Sequence, residues 1–208
     1  MKVKSLDSPA NRSLLFNIVK KIFDRFFWGQ HPETATRYFP VVAQIKKANL
    51  KNPRILEVGS GSLGVVPYLK KEIDGLDINF SGPQSPLLNK IKGKATDLPF
   101  RKNSYDVVIS VDLLEHLSKD EREKAVFEMI RVAKNLAIIV VPTGELSQKQ
   151  DRQLDKYYQK VFGTRNQFLK EHVQNGLPKT EEILVFIDRS LRGLKKQAKV
   201  TSDRKSVV

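Results

Sequence analysis

The residues best placed to do chemistry begin in the stretch RILEVGSGSLGVVPYL, residues 54–69. A short apolar run leads into Gly59-x-Gly61-x-x-Gly64, and Glu57 stands two positions before the first glycine. A strand, a tight glycine turn and a helix N-terminus together make a cradle for a nucleotide phosphate. Glu57 argues against a phosphate. At ~5–6 Å from a pyrophosphate, with an effective dielectric near 20, its charge would cost roughly 3 kcal/mol per unit charge, enough to spoil a micromolar site. A ligand carrying an adenosine and a cation, with no phosphate, reverses that sign. Further carboxylates follow at the ends of later apolar runs. Asp77 lies about twenty residues beyond the turn, where a carboxylate accepts hydrogen bonds from both ribose hydroxyls. Asp97, read as ending the third strand, can accept from an exocyclic amine, and Phe80 and Phe100 are spaced to flank a flat ring. This set favours S-adenosylmethionine as the ligand over a nicotinamide cofactor.

Transfer from a sulfonium needs little help from side chains. The nucleophile must be held in line and water kept out, and positioning of that kind supplies up to ~7–11 kcal/mol. A base is required only when the acceptor must first lose a proton. His116 and Glu145 are the candidates for that role. Asp112 and Glu115 either border the ligand or cap the helix that begins there. His172, in KEHVQNGLP, is a candidate for substrate contact.

The elements that must position these residues alternate. Arg54–Val58, residues 73–80 and 135–145 read as strands, 105–117 as a strand running into a helix, and a third strand within 90–100 is read as ending at Asp97, with helices over 65–71 and 119–134. Residues 81–86, SGPQSP, are turn chemistry and leave little room for a helix after the second strand. Ahead of this core, residues 12–28 repeat apolar pairs every four positions, an amphipathic helix with a wide stripe. Residues 34–49 form a second helical stretch, read as interrupted at Pro40. From 146 to 187 the chain is helical, polar and punctuated by Gly163, Gly176 and Pro178, as a lid would be. The basic, apolar-poor stretch 188–208 is expected to fray.

Strands separated by helical crossovers specify an α/β fold: a Rossmann-like, mostly parallel sheet flanked by helices, with N-terminal helices and a helical lid. The chain divides into an N-terminal helical extension (1–50), a ligand-binding core (51–145), and a lid with a basic tail (146–208). The 208 residues, 40% hydrophobic and 29% charged, suit one folded domain with an appendage. No cysteine is present, which excludes disulfides and thiolate metal sites and suits the cytoplasm. No apolar run approaches the ~20 residues of a membrane span. The net charge of +14 leaves RNA or another anionic surface open as a partner, beside a merely solvated lysine-rich exterior.

The segments ILEVGSGSLG, GLDINF, ATDLPF and YDVVISVDLLEHL, in this order and spacing, resemble the class I S-adenosylmethionine-dependent methyltransferases with a small-molecule type core. The resemblance covers about residues 53–145. It implies that Glu57, Gly59 and Gly61, with Ser60 between the glycines, shape the methionine end of the cofactor site. It implies further that Asp77, followed by Ile78, holds the ribose, that Asp97 with Leu98 lies at the adenine, and that Asp112 borders the transferred methyl. The chain departs from the family pattern where the sheet should close, so the C-terminal β-hairpin is expected to be absent or degenerate. The implied activity is methyl transfer from S-adenosylmethionine to an acceptor, with a small molecule as the expected substrate and no metal. The alternatives are a non-catalytic binding protein of the same fold and an RNA-directed methyltransferase using its basic surface.

Overall fold

The structure, a computed structural model, describes residues 32–165 and 167–203. The amphipathic stretch 12–28 lies outside the described residues. Helix α1 (Pro32–Lys47) precedes strand β1 (Ile55–Val58), the single-turn α2 (Val66–Leu69), β2 (Ile73–Asp77), β3 (Leu88–Lys92) and β4 (Tyr105–Val111). A 3₁₀ turn (Leu114–His116), α3 (Lys119–Val132), β5 (Ala133–Val140), α4 (Glu145–Phe162), α5 (Gln167–Asn175) and α6 (Thr180–Gly193) complete it.

The five strands form one sheet in the order β3-β2-β1-β4-β5, and every pairing is parallel. β1 is buried along its whole length and β4 at all but one position, as strands covered on both faces must be. Successive residues serve opposite faces. Leu56, Val58, Leu76 and Val108 pack with the α3 stripe Ala125, Val126, Met129 and Ile130, and with Ile183 and Phe186 of α6. Ile55, Ile73, Val107 and Ile109 pack on the other side with Tyr38, Val41, Val42 and Ile45 of α1 and with Val65 and Val66. The strand order reverses at the β1–β4 boundary, where open parallel sheets bind ligands beyond their carboxyl ends.

Several sequence expectations need correction. Pro40 does not interrupt α1, which runs through it. The second strand stops at Asp77, three residues before Phe80. The third strand ends at Lys92, so Asp97 lies in a turn beyond it, where Asp97 N–H donates to the Lys94 carbonyl at 3.2 Å. Tail residues 188–193 belong to α6, and Leu191 and Leu194 pack against the core. Lys196 also holds a fixed place: its Nζ donates to the carbonyls of Ile130 at 2.6 Å and Ala133 at 2.5 Å, at the C-terminal end of α3. Residues 78–87 contain no helix, as the turn chemistry predicts. Among the described residues no hairpin follows β5, which pairs with β4 alone.

Candidate active site

The glycine turn is built on the neighbouring strand. Gly59 and Ser60 N–H donate to the Leu76 carbonyl at 2.8 and 3.3 Å, and Gly64 N–H donates to the Ser60 carbonyl at 2.9 Å. All three glycines have positive φ, but they differ in surroundings. A Cβ on Gly64 would stand 2.1 Å from Glu57 Oε2, whereas one on Gly61 would meet nothing within 4 Å. Gly64 is therefore demanded by the buried acid beneath it, whereas at Gly61, under open space, only the positive φ favours glycine. A Cβ on Gly59 would lie 3.0 Å from Leu113 Cδ1, so the turn after β4 abuts this loop.

Glu57 does not face a ligand. It is fully buried, its Oε1 accepts from the Tyr38 hydroxyl at 2.8 Å, and its Oε2 accepts from Val65 N–H at 2.6 Å. Burial, with the charge of Asp77 adding to it, lifts its pKa from 4.5 to about 8 against those two hydrogen bonds. The electrostatic argument that set Glu57 against a pyrophosphate fails on this geometry. The acid staples the loop from below and carries little charge at neutral pH.

Asp77 stands at the carboxyl end of β2, partly exposed. Its Oδ2 accepts from Gly61 N–H at 2.7 Å and its Oδ1 from Asn79 N–H at 3.0 Å, so it locks the loop. A carboxylate oxygen has capacity for a second donor, which leaves Asp77 able to bind hydroxyls. Beside it Ile78 is 67% exposed, an unusual position for a large aliphatic side chain at a strand end. Asp97 is exposed, while Leu98 is buried in the core. Leu98 N–H donates to Glu128 Oε2 at 2.8 Å, and Arg131 donates to the carbonyls of Leu98 at 3.0 Å and Phe100 at 2.8 Å. This clamp fixes residues 97–100 and presents the Asp97 carboxylate outward. Phe100 does not flank a ligand: it packs edge-on against Tyr105 at 4.9 Å, at the start of β4. Phe80 lies under the Lys90 ammonium, 5.5 Å from its ring centre.

At the end of β4, Asp112 adopts a left-handed backbone (φ 53°) and its Oδ2 accepts from Arg37 of α1. A non-glycine residue in that region marks a site whose surroundings over-determine it. The following 3₁₀ turn buries Glu115, and burial, with Asp112 nearby, raises its carboxyl to about 8. His116 Nδ1 lies 2.9 Å from Glu171 Oε2, and His172 Nδ1 lies 2.9 Å from Asp151 Oδ2. Burial and the adjacent His172 hold the His116 imidazole below its usual range. The two rings stand 4.8 Å apart, so α5 meets the turn after β4. Glu145, by contrast, is exposed in the first turn of α4.

Sequence reasoning missed Tyr38, Arg37, Arg122, Glu128 and Arg131. One signal existed for Arg122: it occupies the buried stripe of α3 with Ala125, Val126 and Met129. A charge on an apolar stripe implies a buried partner, here the Leu114 carbonyl at 2.8 Å. Arg37 had none, since Asp112 is 75 positions away.

Residues 56–141 match the family described as Methyltransferase domain. Two curated relatives align with parts of the chain. A phthiotriol/phenolphthiotriol dimycocerosates methyltransferase of Mycobacterium leprae (strain TN) is 37% identical over 78 residues, 32% of this chain and 29% of that protein. An ajmaline N-methyltransferase of Rauvolfia serpentina is 33% identical over 107 residues, 44% of this chain and 36% of that protein. The chain thus spans about a third of the length of each. Among solved structures, the magnesium protoporphyrin IX methyltransferase of Synechocystis PCC 6803 with bound SAH superposes with a TM-score of 0.54. That likeness is at 16% identity and covers 84% of this chain and 88% of the other, which shows the fold. The core segment of this chain is thus similar to methyltransferase domains, and its parallel sheet with flanking helices has the Rossmann-like fold of that solved methyltransferase.

Proposed function

We propose that this protein transfers the methyl group of S-adenosylmethionine to a small-molecule acceptor. The observation that carries the reading is the lock between Asp77 and the Gly61 amide at the switch point of the sheet. The cradle fits the cofactor on its own terms. The space over Gly61 is open, the exposed face of Ile78 suits an adenine ring, and Asp97 is exposed beyond β3. When bound, the cofactor supplies an electrophilic methyl group on sulfur.

This chain's residues do the rest by holding. Asp77 accepts from the ribose hydroxyls, Asp97 accepts from the adenine amine, and Gly59, Ser60 and Gly61 let the methionine end approach the backbone. Asp112, paired with Arg37, borders the acceptor side. Of the two candidate proton acceptors, His116 lies at the strand ends, whereas Glu145 is exposed at the head of α4 and we give it no role. The names of both curated relatives are those of enzymes acting on small molecules, which supports a small acceptor here. No observation favours the RNA-directed alternative over this one. Among the described residues no helix is long and apolar enough to cross a membrane.

Calorimetric titration with S-adenosylhomocysteine, the demethylated cofactor, tests the reading. Micromolar binding is expected for the wild type, with a loss of at least about tenfold in Asp77→Ala and none detected for NADH. A folded wild-type protein that fails to bind overturns it.

A further inference from the structure

We propose that Glu115, His116 and His172 form a binding site for a single divalent transition-metal ion. A donor atom from each of the three residues lies within 4.8 Å of the others. Each imidazole has its Nδ1 against a carboxylate, Glu171 for His116 and Asp151 for His172, both at 2.9 Å. A carboxylate at Nδ1 fixes the tautomer in which Nε2 is the acceptor, and it is the usual outer partner of a metal-bound histidine. Two of the buried side-chain atoms that make no hydrogen bond among the described residues are Glu115 Oε2 and His172 Nε2. Glu115 is only 1% exposed, so water does not satisfy its oxygen from outside. Buried polar atoms without partners are uncommon, and two of them in one three-residue cluster point to a shared ligand.

The surrounding charge agrees. In a chain of net charge +14, this corner gathers the carboxylates of Asp112, Glu115, Asp151 and Glu171 against the guanidinium groups of Arg37 and Arg122. The site is also held rigid. Arg122 Nε donates to the Leu114 carbonyl at 2.8 Å, and Asn175 Nδ2 donates to the His116 carbonyl at 3.1 Å, tying α3 and α5 to the turn. An ion with bonds of ~2.1 Å holds its donors roughly 3 Å apart, so side-chain movements on the order of 1 Å close the site. Two imidazole nitrogens and one carboxylate oxygen suit zinc, manganese, iron or cobalt better than calcium. Three protein ligands leave positions open for water or an acceptor.

Joined to the methyltransferase reading, on which this consequence rests, an open position takes a hydroxyl oxygen of the acceptor. The ion lowers the pKa of that hydroxyl, and its proton leaves to water. The oxygen then forms the new O–C bond as the C–S bond of the sulfonium breaks, and the sulfur keeps the electron pair.

The test uses the full chain after treatment with a chelator. Mn²⁺ binding is followed by electron paramagnetic resonance and Zn²⁺ binding by calorimetry, in wild type, His172→Ala, Glu115→Gln and the double variant. S-adenosylhomocysteine affinity is measured separately without metal. One ion per chain is expected in the wild type, weakened at least about tenfold in each single variant, with S-adenosylhomocysteine binding unchanged. His172→Ala carries the test should Glu115→Gln fold poorly, because His172 lies on α5, outside the sheet. No binding by the wild type below roughly 1 mM, or an ion retained in the double variant, overturns the proposal. Metal binding without S-adenosylhomocysteine binding sinks the methyltransferase reading and leaves the metal site standing.

Discussion

Replacing Glu57 by glutamine isolates the energetics of the loop staple. The acid is fully buried and its pKa rises from 4.5 to about 8, chiefly through burial. The folded state therefore holds the proton more tightly than the unfolded state does. The stability this group contributes is complete below pH 4.5 and is lost as the pH rises through about 8. At roughly 1.4 kcal/mol for each pH unit, the whole interval corresponds to on the order of 5 kcal/mol, and local relaxation around a buried acid cuts that to roughly half. Glutamine keeps the shape. Its carbonyl accepts from Val65 N–H, and its amide donates to the Tyr38 oxygen. The expected result is a variant within about 1 kcal/mol of wild type at pH 5 and more stable than wild type at pH 8.5 by about 2 kcal/mol, or ~5 °C in Tm for a chain of this size. Urea titrations of both proteins across that range give the difference directly, and other titrating groups cancel in it. A difference that does not change with pH would refute the reasoning, because Glu57 would then be ionised throughout. S-adenosylhomocysteine affinity near neutral pH should barely move, since the acid faces away from the ligand.

Three further substitutions test neighbouring claims. Gly64→Ala drives a methyl group into the Glu57 carboxylate at a positive φ, and should cost about 2–4 kcal/mol by urea unfolding with loss of cofactor affinity. Gly61→Ala pays only the backbone strain, about 1 kcal/mol, yet should abolish S-adenosylhomocysteine binding because its methyl group fills the cradle. Lys196→Met removes the donor from the Ile130 and Ala133 carbonyls and should lower stability by about 1–2 kcal/mol without changing ligand affinity.

The sheet was legible because its cause is local. Apolar runs at β1 and β4 and glycines at the turn all act within a few residues. The order of the acidic strand ends was legible for the same reason, since each follows its own strand. Asp97 is the partial exception, because it lies five positions beyond the end of β3, next to Leu98, which the Glu128–Arg131 clamp on α3 holds. The direction in which an acid faces depends on distant groups, and there the reading failed. Glu57 sits in the motif where a ligand-facing charge was expected, but Tyr38, 19 positions earlier, takes it inward.

That failure says something about how the site is assembled. The motifs from Glu57 to His116 are contiguous in the chain, yet two of their acids are gripped by one helix that precedes them all. Tyr38 holds Glu57 beneath the glycine loop, and the adjacent Arg37 holds Asp112 at the end of β4. The helix is anchored by Val41, Val42 and Ile45, whose spacing places them on the same buried face as Tyr38. The glycine loop and the turn after β4 therefore share a single mechanical support, and Leu113 against Gly59 joins them again from the other side. A substitution that shifts α1, such as Val41→Ala in its fully buried stripe, should disturb both halves together. Independent effects on S-adenosylhomocysteine affinity and on metal affinity would show instead that each half stands on its own strand.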